Sequence, residues 1–239
     1  MNNNIKETSC VQAEETLRNQ QQEQLYNQFV KGKEKIYIEK IDFVPKKPLY
    51  SFLKRLVDIM VSLMVLIIGF VPMVVIAIIV SCDSKGSPIF VQERLGYDQK
   101  PFKIYKFRSM RIDAEKDGAR WATESDDRVT NVGKILRKTR MDELPQFVNI
   151  LMGQMSIVGP RPERAEFYDV FDLYIDGFRQ RMLVKPGLTG HAQVNGGYDL
   201  LPEEKIVYDI EYIKNRSVVM DIKCVINTVR VIFKGDGAR

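Results

Sequence analysis

Apolar positions are spread unevenly along this chain, and their spacing divides it into three stretches. Residues 1–45 are polar, rich in Asn, Gln, Glu and Lys, and a run such as Arg18-Asn-Gln-Gln-Gln-Glu-Gln offers no apolar face that could pack. This stretch reads as a flexible tail with one loose helix near Leu25 to Val30. Residues 46–82 form the second stretch, a basic flank followed by an uncharged apolar run from Ile59 to Val80. A continuous helix over that run would rise about 33 Å, enough to cross a bilayer's hydrocarbon core. Pro72 sits two-thirds of the way along it and predicts a kink. Residues 83–239 form the third stretch, in which short β-prone and helical patterns alternate.

In that third stretch, two β-prone segments between Pro88 and Met110 flank a turn at Gly96 to Lys100 and predict a hairpin. Alternation puts Phe102, Ile104, Lys106 and Arg108 on one face of its second strand. The highly charged segment from Asp113 to Arg128, which carries Trp121, reads as an exposed loop or short helix. Val132, Ile135 and Leu136 then recur at helical spacing. Pro145 fits a first-turn position, which places Asp142 and Glu143 at the start of a further helix running to Gly153. Val158-Gly-Pro-Arg-Pro162 is too rich in proline for a regular element and predicts a rigid loop. Phe167, Phe171, Tyr174 or Ile175, Phe178 and Met182 form an aromatic stripe, readable as core or as an interfacial helix. Lys185-Pro-Gly-Leu-Thr-Gly190 is a turn-rich loop. The last helical pattern, Ser217 to Lys234, has an apolar face of Val218, Ile222, Val225, Ile226 and Val229. The predicted class is α+β: a mainly helical domain with a short β-hairpin, anchored by one membrane helix and by interfacial amphipathic helices.

Charge leaves the fate of the apolar run open. Lys46, Lys47, Lys54 and Arg55 precede it, and Lys85, Arg94, Lys100, Lys103, Lys106 and Arg108 follow it. A spanning helix ordinarily shows an excess of positive charge on one side only. A helix that breaks near Pro72 and leaves on the side it entered reconciles the flanks with the proline; a kinked single span is the alternative. The formal net charge of +5 suits an anionic membrane, a phosphorylated substrate or nucleic acid alike. Nucleic-acid binding leaves the apolar run without a purpose. Three scattered cysteines, Cys10, Cys82 and Cys224, give neither a disulfide framework nor metal spacing and fit a reducing compartment.

With His191 as the only histidine, metal sites built from several histidines are excluded. No serine elbow, paired-cysteine motif or glycine-rich phosphate loop is present either. Carboxylates and arginines remain, and they suit phosphoryl chemistry. A carboxylate can attack phosphorus and divide a hard transfer into two easier ones. Mg²⁺ and planar arginine clamps offset the repulsion between two anions. Asp142-Glu143, with Arg137, Arg140 and the proline-flanked Arg161, supplies those parts. Each also has a plain structural explanation, since acidic residues favour a helix's first turn and an arginine can simply tie down a loop.

Taken in order, these segments resemble the bacterial sugar transferases, the monotopic phosphoglycosyl transferases that act on undecaprenyl phosphate. The resemblance runs from about residue 50 to 234. It rests on Lys54-Arg55, Phe102-Lys-Ile-Tyr-Lys-Phe-Arg-Ser-Met110, Asp142-Glu-Leu-Pro-Gln146, Ser156-Ile-Val-Gly-Pro-Arg-Pro162 and Lys185-Pro-Gly-Leu-Thr-Gly-His-Ala-Gln-Val-Asn-Gly196. It implies a re-entrant helix at the inner membrane, marked by Lys54, Arg55 and Pro72, with the catalytic domain in the cytosol. It implies transfer of a sugar 1-phosphate from a UDP-sugar to undecaprenyl phosphate, with release of UMP, as the first membrane step of exopolysaccharide or capsule synthesis. In that reading Asp142 is the nucleophile and Glu143 its partner, both near Mg²⁺, while Arg137 and Arg161 bind substrate phosphates. Lys106 and Arg108 are assigned to the same phosphates or to lipid headgroups. Membrane lipid, further copies of the chain and downstream glycosyltransferases are the partners this implies. The competing reading is a non-catalytic membrane-tethered scaffold, against which the intact Asp142-Glu143 pair argues. Val71 stands where the family often has serine, and His191 where it commonly has tryptophan.

Overall fold

The computed structural model describes residues 22–116, 126–196 and 200–234. Trp121, and the tail as far as residue 21, lie outside the described residues. Two helices, α2 (Pro48–Ile68) and α3 (Phe70–Asp83), meet at a bend of 62°. The break falls at Gly69, three residues before the expected Pro72. A proline disturbs the turn that precedes it, because it offers no N–H to the carbonyl four residues back and its ring crowds that carbonyl. Here that carbonyl is Ile68's, the last of α2, and Pro72 lies in the first turn of α3, where a missing N–H costs nothing. Among the described residues no single helix is long and apolar enough to cross a membrane, whereas the bent pair together has the length and composition.

The first helix of the pair is inside out compared with a helix of a water-soluble domain, whereas the second buries apolar Ile76 and Val80. The buried residues of α2 are Asp58 and Ser62, while Met60, Met64, Ile67, Ile68, Phe70 and Val71 are exposed. Asp58 accepts hydrogen bonds from Ser156 Oγ at 3.1 Å and from Ile157 N at 2.9 Å. Arg55 donates to the carbonyls of Ile150 and Leu151 at 2.7 and 2.8 Å, closing the C-terminal end of α5 (Gln146–Leu151). Lys54 pairs with Asp221 at 2.8 Å, and Asp221 also accepts from Tyr50 and Tyr212. The basic flank therefore fastens α2 to the rest of the protein.

The predicted hairpin forms from β2 (Ile89–Leu95) and β3 (Pro101–Phe107), antiparallel around the Gly96–Lys100 turn. Phe102 and Ile104 pack with Ile150 and Met155, and Phe107 packs with Leu136 and with Ile76 and Val80 of α3. Two further pairings of two- or three-residue strands are parallel. One joins β1 (Ile36–Tyr37) to β5 (Ile175–Asp176), and the other joins β4 (Ser156–Val158) to β6 (Gly187–Thr189).

The largest core gathers α6 (Ala165–Phe171), Phe178 and Met182, and α8 (Pro202–Asn215). Every member of the aromatic stripe is buried there, which decides for core packing over an interfacial helix. The single helix implied by its spacing does not form. The chain leaves α6 at Phe171, passes through β5 and turns at Gly177, whose φ of 93° a side chain would resist.

The expected tail boundary at residue 45 moves back by more than twenty residues. A helix over 22–29 (α1) buries Leu25 and Phe29 in the largest core, and Phe29 meets Phe171 edge to face at 5.2 Å. Beyond it β1 pairs with β5, Lys33 bonds Glu203, and Arg216 donates to the Pro45 carbonyl. Polar composition hid a strap that needs only a few apolar anchors. At the other end, α9 (Val218–Lys234) buries Cys224 but exposes Val218, Ile222, Val225, Ile226 and Val229.

Candidate active site

The Asp142-Glu143 pair owes its position to a reversal after α4 (Asn131–Lys138). Thr130 caps that helix by accepting from Gly133 N at 2.9 Å. At the far end Arg140 takes a left-handed conformation, with φ of 58°. The chain turns there into a short 3-10 segment, Met141–Glu143, ahead of α5. Asp142 and Glu143 thus precede α5 in a turn of their own, with Pro145 at the helix's N-cap. Both carboxylates are buried.

Arg161 donates to Glu143 Oε1 at 2.6 Å, and Lys106 Nζ lies 3.6 Å from the same oxygen. The rigidity expected of Pro160-Arg161-Pro162 has a backbone cause. Gly159 N donates to Thr189 O and Gly187 N to Pro160 O, both at 2.9 Å. A Cβ on Gly159 would lie 2.4 Å from the Lys185 carbonyl, and one on Gly187 would lie 2.1 Å from Gly159 N. Only glycines permit this approach of the two loops that sequence reading kept apart.

Arg137 donates through Nε to Ser109 Oγ at 2.8 Å. Its charge, with those of Lys106 and Arg161, is felt at Asp142. The structure thus gathers Asp142, Glu143, Lys106, Arg137 and Arg161 around one point. Arg108 is placed elsewhere. It lies past the end of β3 and donates to Ser84 O and Oγ at 2.6 and 3.0 Å, closing the end of α3. Three further residues, to which the sequence assigns no role, support the site. Ser109 aims Arg137, and Asn149 bonds Tyr105 N and Lys103 O, clamping β3 against α5. Gln146 is fully buried with neither amide atom hydrogen-bonded among the described residues. Its polarity one turn beyond Asp142 was the available signal. His191 stands apart, between Glu211 at 3.2 Å and the Tyr208 ring.

The electrostatics separate the two acids. Burial first, and then the like charge of Glu143, pushes Asp142 up to about 6 against the pull of Lys106, Arg137 and Arg161. Burial would raise Glu143 too, but Arg161, Lys106 and Arg140 outweigh it and hold this acid at about 2. Burial, reinforced by Arg161, brings Lys106 down to about 8. At neutral pH the site therefore has one fixed anion, Glu143, and one carboxylate of unusual basicity, Asp142. A more basic carboxylate is a better nucleophile than an ordinary one and is still mostly ionised at pH 7.

Among the described residues no group of three or more His, Cys, Asp or Glu side chains could cage a metal. Mg²⁺ commonly takes one or two carboxylates and completes its shell with substrate oxygens and water, and Asp142 and Glu143 are the carboxylates that would hold it here. Asp142 Oδ1 is buried without a hydrogen-bond partner among the described residues, so an oxygen ligand is available where such an ion would bind.

Comparison with known proteins identifies the family. The family model described as bacterial sugar transferase matches residues 49–235. An Aeromonas hydrophila protein named UDP-N-acetylgalactosamine-undecaprenyl-phosphate N-acetylgalactosaminephosphotransferase is 44% identical over 195 residues, 80% of this chain and 46% of its own length. A Klebsiella pneumoniae protein named UDP-glucose:undecaprenyl-phosphate glucose-1-phosphate transferase is 45% identical over 210 residues, 82% of this chain and 44% of its own. The chain spans under half the length of these two relatives, but it covers 93% of an exopolysaccharide production protein from Rhizobium leguminosarum, which is 39% identical over 186 residues. With the site's residues all inside the matched region, the chain belongs to the bacterial sugar transferase family.

Proposed function

We propose that this protein transfers a sugar 1-phosphate from a UDP-sugar to undecaprenyl phosphate and releases UMP. The observation that carries the reading is the pairing of a buried, partnerless Asp142 oxygen with a Glu143 already neutralised by Arg161. Asp142 attacks the sugar-bearing phosphorus. The bond from that phosphorus to the bridging oxygen breaks, and the oxygen leaves with UMP. An oxygen of the lipid phosphate then attacks the same phosphorus, and Asp142 departs as a free carboxylate. Arg161, Lys106 and Arg137 hold the phosphate oxygens, and Glu143 keeps Arg161 and Lys106 in position. Mg²⁺, held by Asp142 and Glu143 together with substrate oxygens, would supply neutralising charge during attack by an anion.

The second substrate is a lipid, so the site must meet a membrane. The bent, outward-apolar pair α2–α3 supports a re-entrant anchor in the inner membrane, and the exposed apolar face of α9 supports an interfacial contact. α3 packs directly on Leu136 and Phe107, next to Arg137 and Lys106, which brings that anchor close to the carboxylates. The names of the relatives place such enzymes with different sugars, so the donor is a matter for assay.

UMP release from a panel of UDP-sugars, with Mg²⁺ and undecaprenyl phosphate in nanodiscs, tests the reading. Turnover that needs the lipid and disappears in Asp142→Asn is expected. Silence with every donor would favour a scaffold.

A further inference from the structure

One arginine near the site is poorly provided for. Arg94, on β2, is largely buried, with its side chain 17% exposed. Its Nε is buried with no hydrogen-bond partner among the described residues. Its NH1 forms an ion pair with Glu163 Oε2 and reaches Pro162 O, both at a long 3.4 Å, and its NH2 donates to the neutral Gln92 Oε1 at 2.5 Å. Burial works against its charge, the Glu163 carboxylate favours it, and Arg161 and Arg164 oppose it. A buried guanidinium donor left unmade costs stability, and charge-assisted bonds to phosphate are the kind it is built for. This arrangement is expected of a group held ready for an anion.

Its place in the hairpin says which anion. Lys106 pairs with Phe90, Ile104 with Gln92, and Phe102 with Arg94. Paired residues share a face of the sheet, so Lys106, Gln92 and Arg94 form one polar row. One end of the row is Lys106, 3.6 Å from Glu143, beside Phe107 and α3. The other end is Arg94, about 13 Å further along the strand at Cα level, with its guanidinium folded back toward Gln92. The loop carrying Arg161 lies against this far end, where Leu95 N donates to Glu163 O at 3.1 Å. A lipid phosphate arriving along α3 reaches the Lys106 end first. A second phosphate, joined to the one being transferred and pointing away from α3, falls toward Arg94.

We propose that Arg94, oriented by Gln92 and flanked by Arg161, forms a second phosphate subsite that holds the nucleotide-side phosphate of the donor, the one that leaves as UMP. The inference rests on the transferase reading and names the part of the substrate this end of the site receives.

The test compares the full-length wild type with Arg94→Gln and Arg94→Lys in nanodiscs. It reads KM for the UDP-sugar, KM for undecaprenyl phosphate, inhibition by UMP, and thermal stability. In Arg94→Gln, donor KM should rise and UMP inhibition should weaken, each by about tenfold or more, while lipid KM stays unchanged. Arg94→Lys should fall between, since it keeps the charge and loses the planar fork. A rise in lipid KM with UMP inhibition intact would assign Arg94 to the lipid headgroup and overturn the proposal. Unchanged constants, or stability lost in both variants, would make Arg94 a structural residue and overturn it equally. Direct titration of UMP onto the wild type and Arg94→Gln separates the two questions. Binding to the wild type that the variant loses supports the subsite even in a preparation that does not turn over. A wild type that neither turns over nor binds UMP would remove the transferase reading itself.

Discussion

Arg161 and Glu143 meet at 2.6 Å, joining a loop that two prolines and two close-packed glycines hold rigid to the turn that carries the acids. Through this contact the backbone of one loop sets the charge state of the other. Arg161→Lys keeps the charge but loses the planar fork, so kcat in the UMP-release assay should fall about 10–100-fold. Unchanged kcat would show that charge alone suffices there.

The pH dependence follows from Asp142, the only acid of the pair pushed upward, to about 6. Attack requires its ionised form, so the rate of lipid-independent UMP release should rise with pH through about 6 and fall again through about 8 as Lys106 loses its charge. Arg161 lowers the first value, so Arg161→Gln should shift the rising limb to higher pH. A limb near 4 in the wild type would mean that Asp142 behaves as an exposed carboxylate.

The same shift has a consequence for stability. A carboxylate raised from 3.8 to about 6 holds its proton more tightly when folded, so stability falls as pH rises between those values. At neutral pH the cost of the buried charge is on the order of 1–3 kcal/mol, discounted for coupling to Glu143. Asp142→Asn should therefore raise Tm at pH 7.5 while abolishing transfer, and the gain should vanish near pH 4. A lower Tm at pH 7.5 would count against this electrostatic account.

Asp58 tests how the bent helices are fixed. Asp58→Leu strands the Ile157 N–H and the Ser156 hydroxyl at a buried site and should cost about 1–3 kcal/mol, read as loss of Tm in detergent. No loss would mean that Lys54 and Arg55 fasten α2 alone.

Phe29 tests the strap. It lies outside the matched family region, yet it is buried against Phe171. Phe29→Ala should destabilise the protein by about 3–5 kcal/mol, the usual result of emptying an aromatic core position. Stability within 1 kcal/mol of wild type would return residues 22–45 to the status of a tail.

How far the sequence could be read depended on the range of the cause. The hairpin and the rigid loop come from local chemistry, namely alternation and prolines, and were legible; the helix start was read too early, because Asp142 and Glu143 occupy a turn of their own and α5 begins only at Gln146. The break at Gly69 was misplaced because a proline acts one turn ahead of itself. The helix near Leu25 was legible but its docking was not, because three or four apolar residues in a polar stretch look like noise until Phe171 is seen beneath Phe29. Arg108 was grouped with Lys106 by strand alternation, but β3 ends at Phe107 and frees Arg108 to cap α3. The Gly159–Gly187 approach joins two motifs 28 residues apart, a contact no local pattern records.

The most direct test of the central claim is the mass of the intact protein after incubation with Mg²⁺ and the UDP-sugar it uses, without lipid. The account predicts an added sugar phosphate, located on Asp142 by peptide mapping, matched by one equivalent of UMP and removed when undecaprenyl phosphate is supplied. Lipid-dependent turnover in Asp142→Asn, or an adduct on another residue, would contradict it.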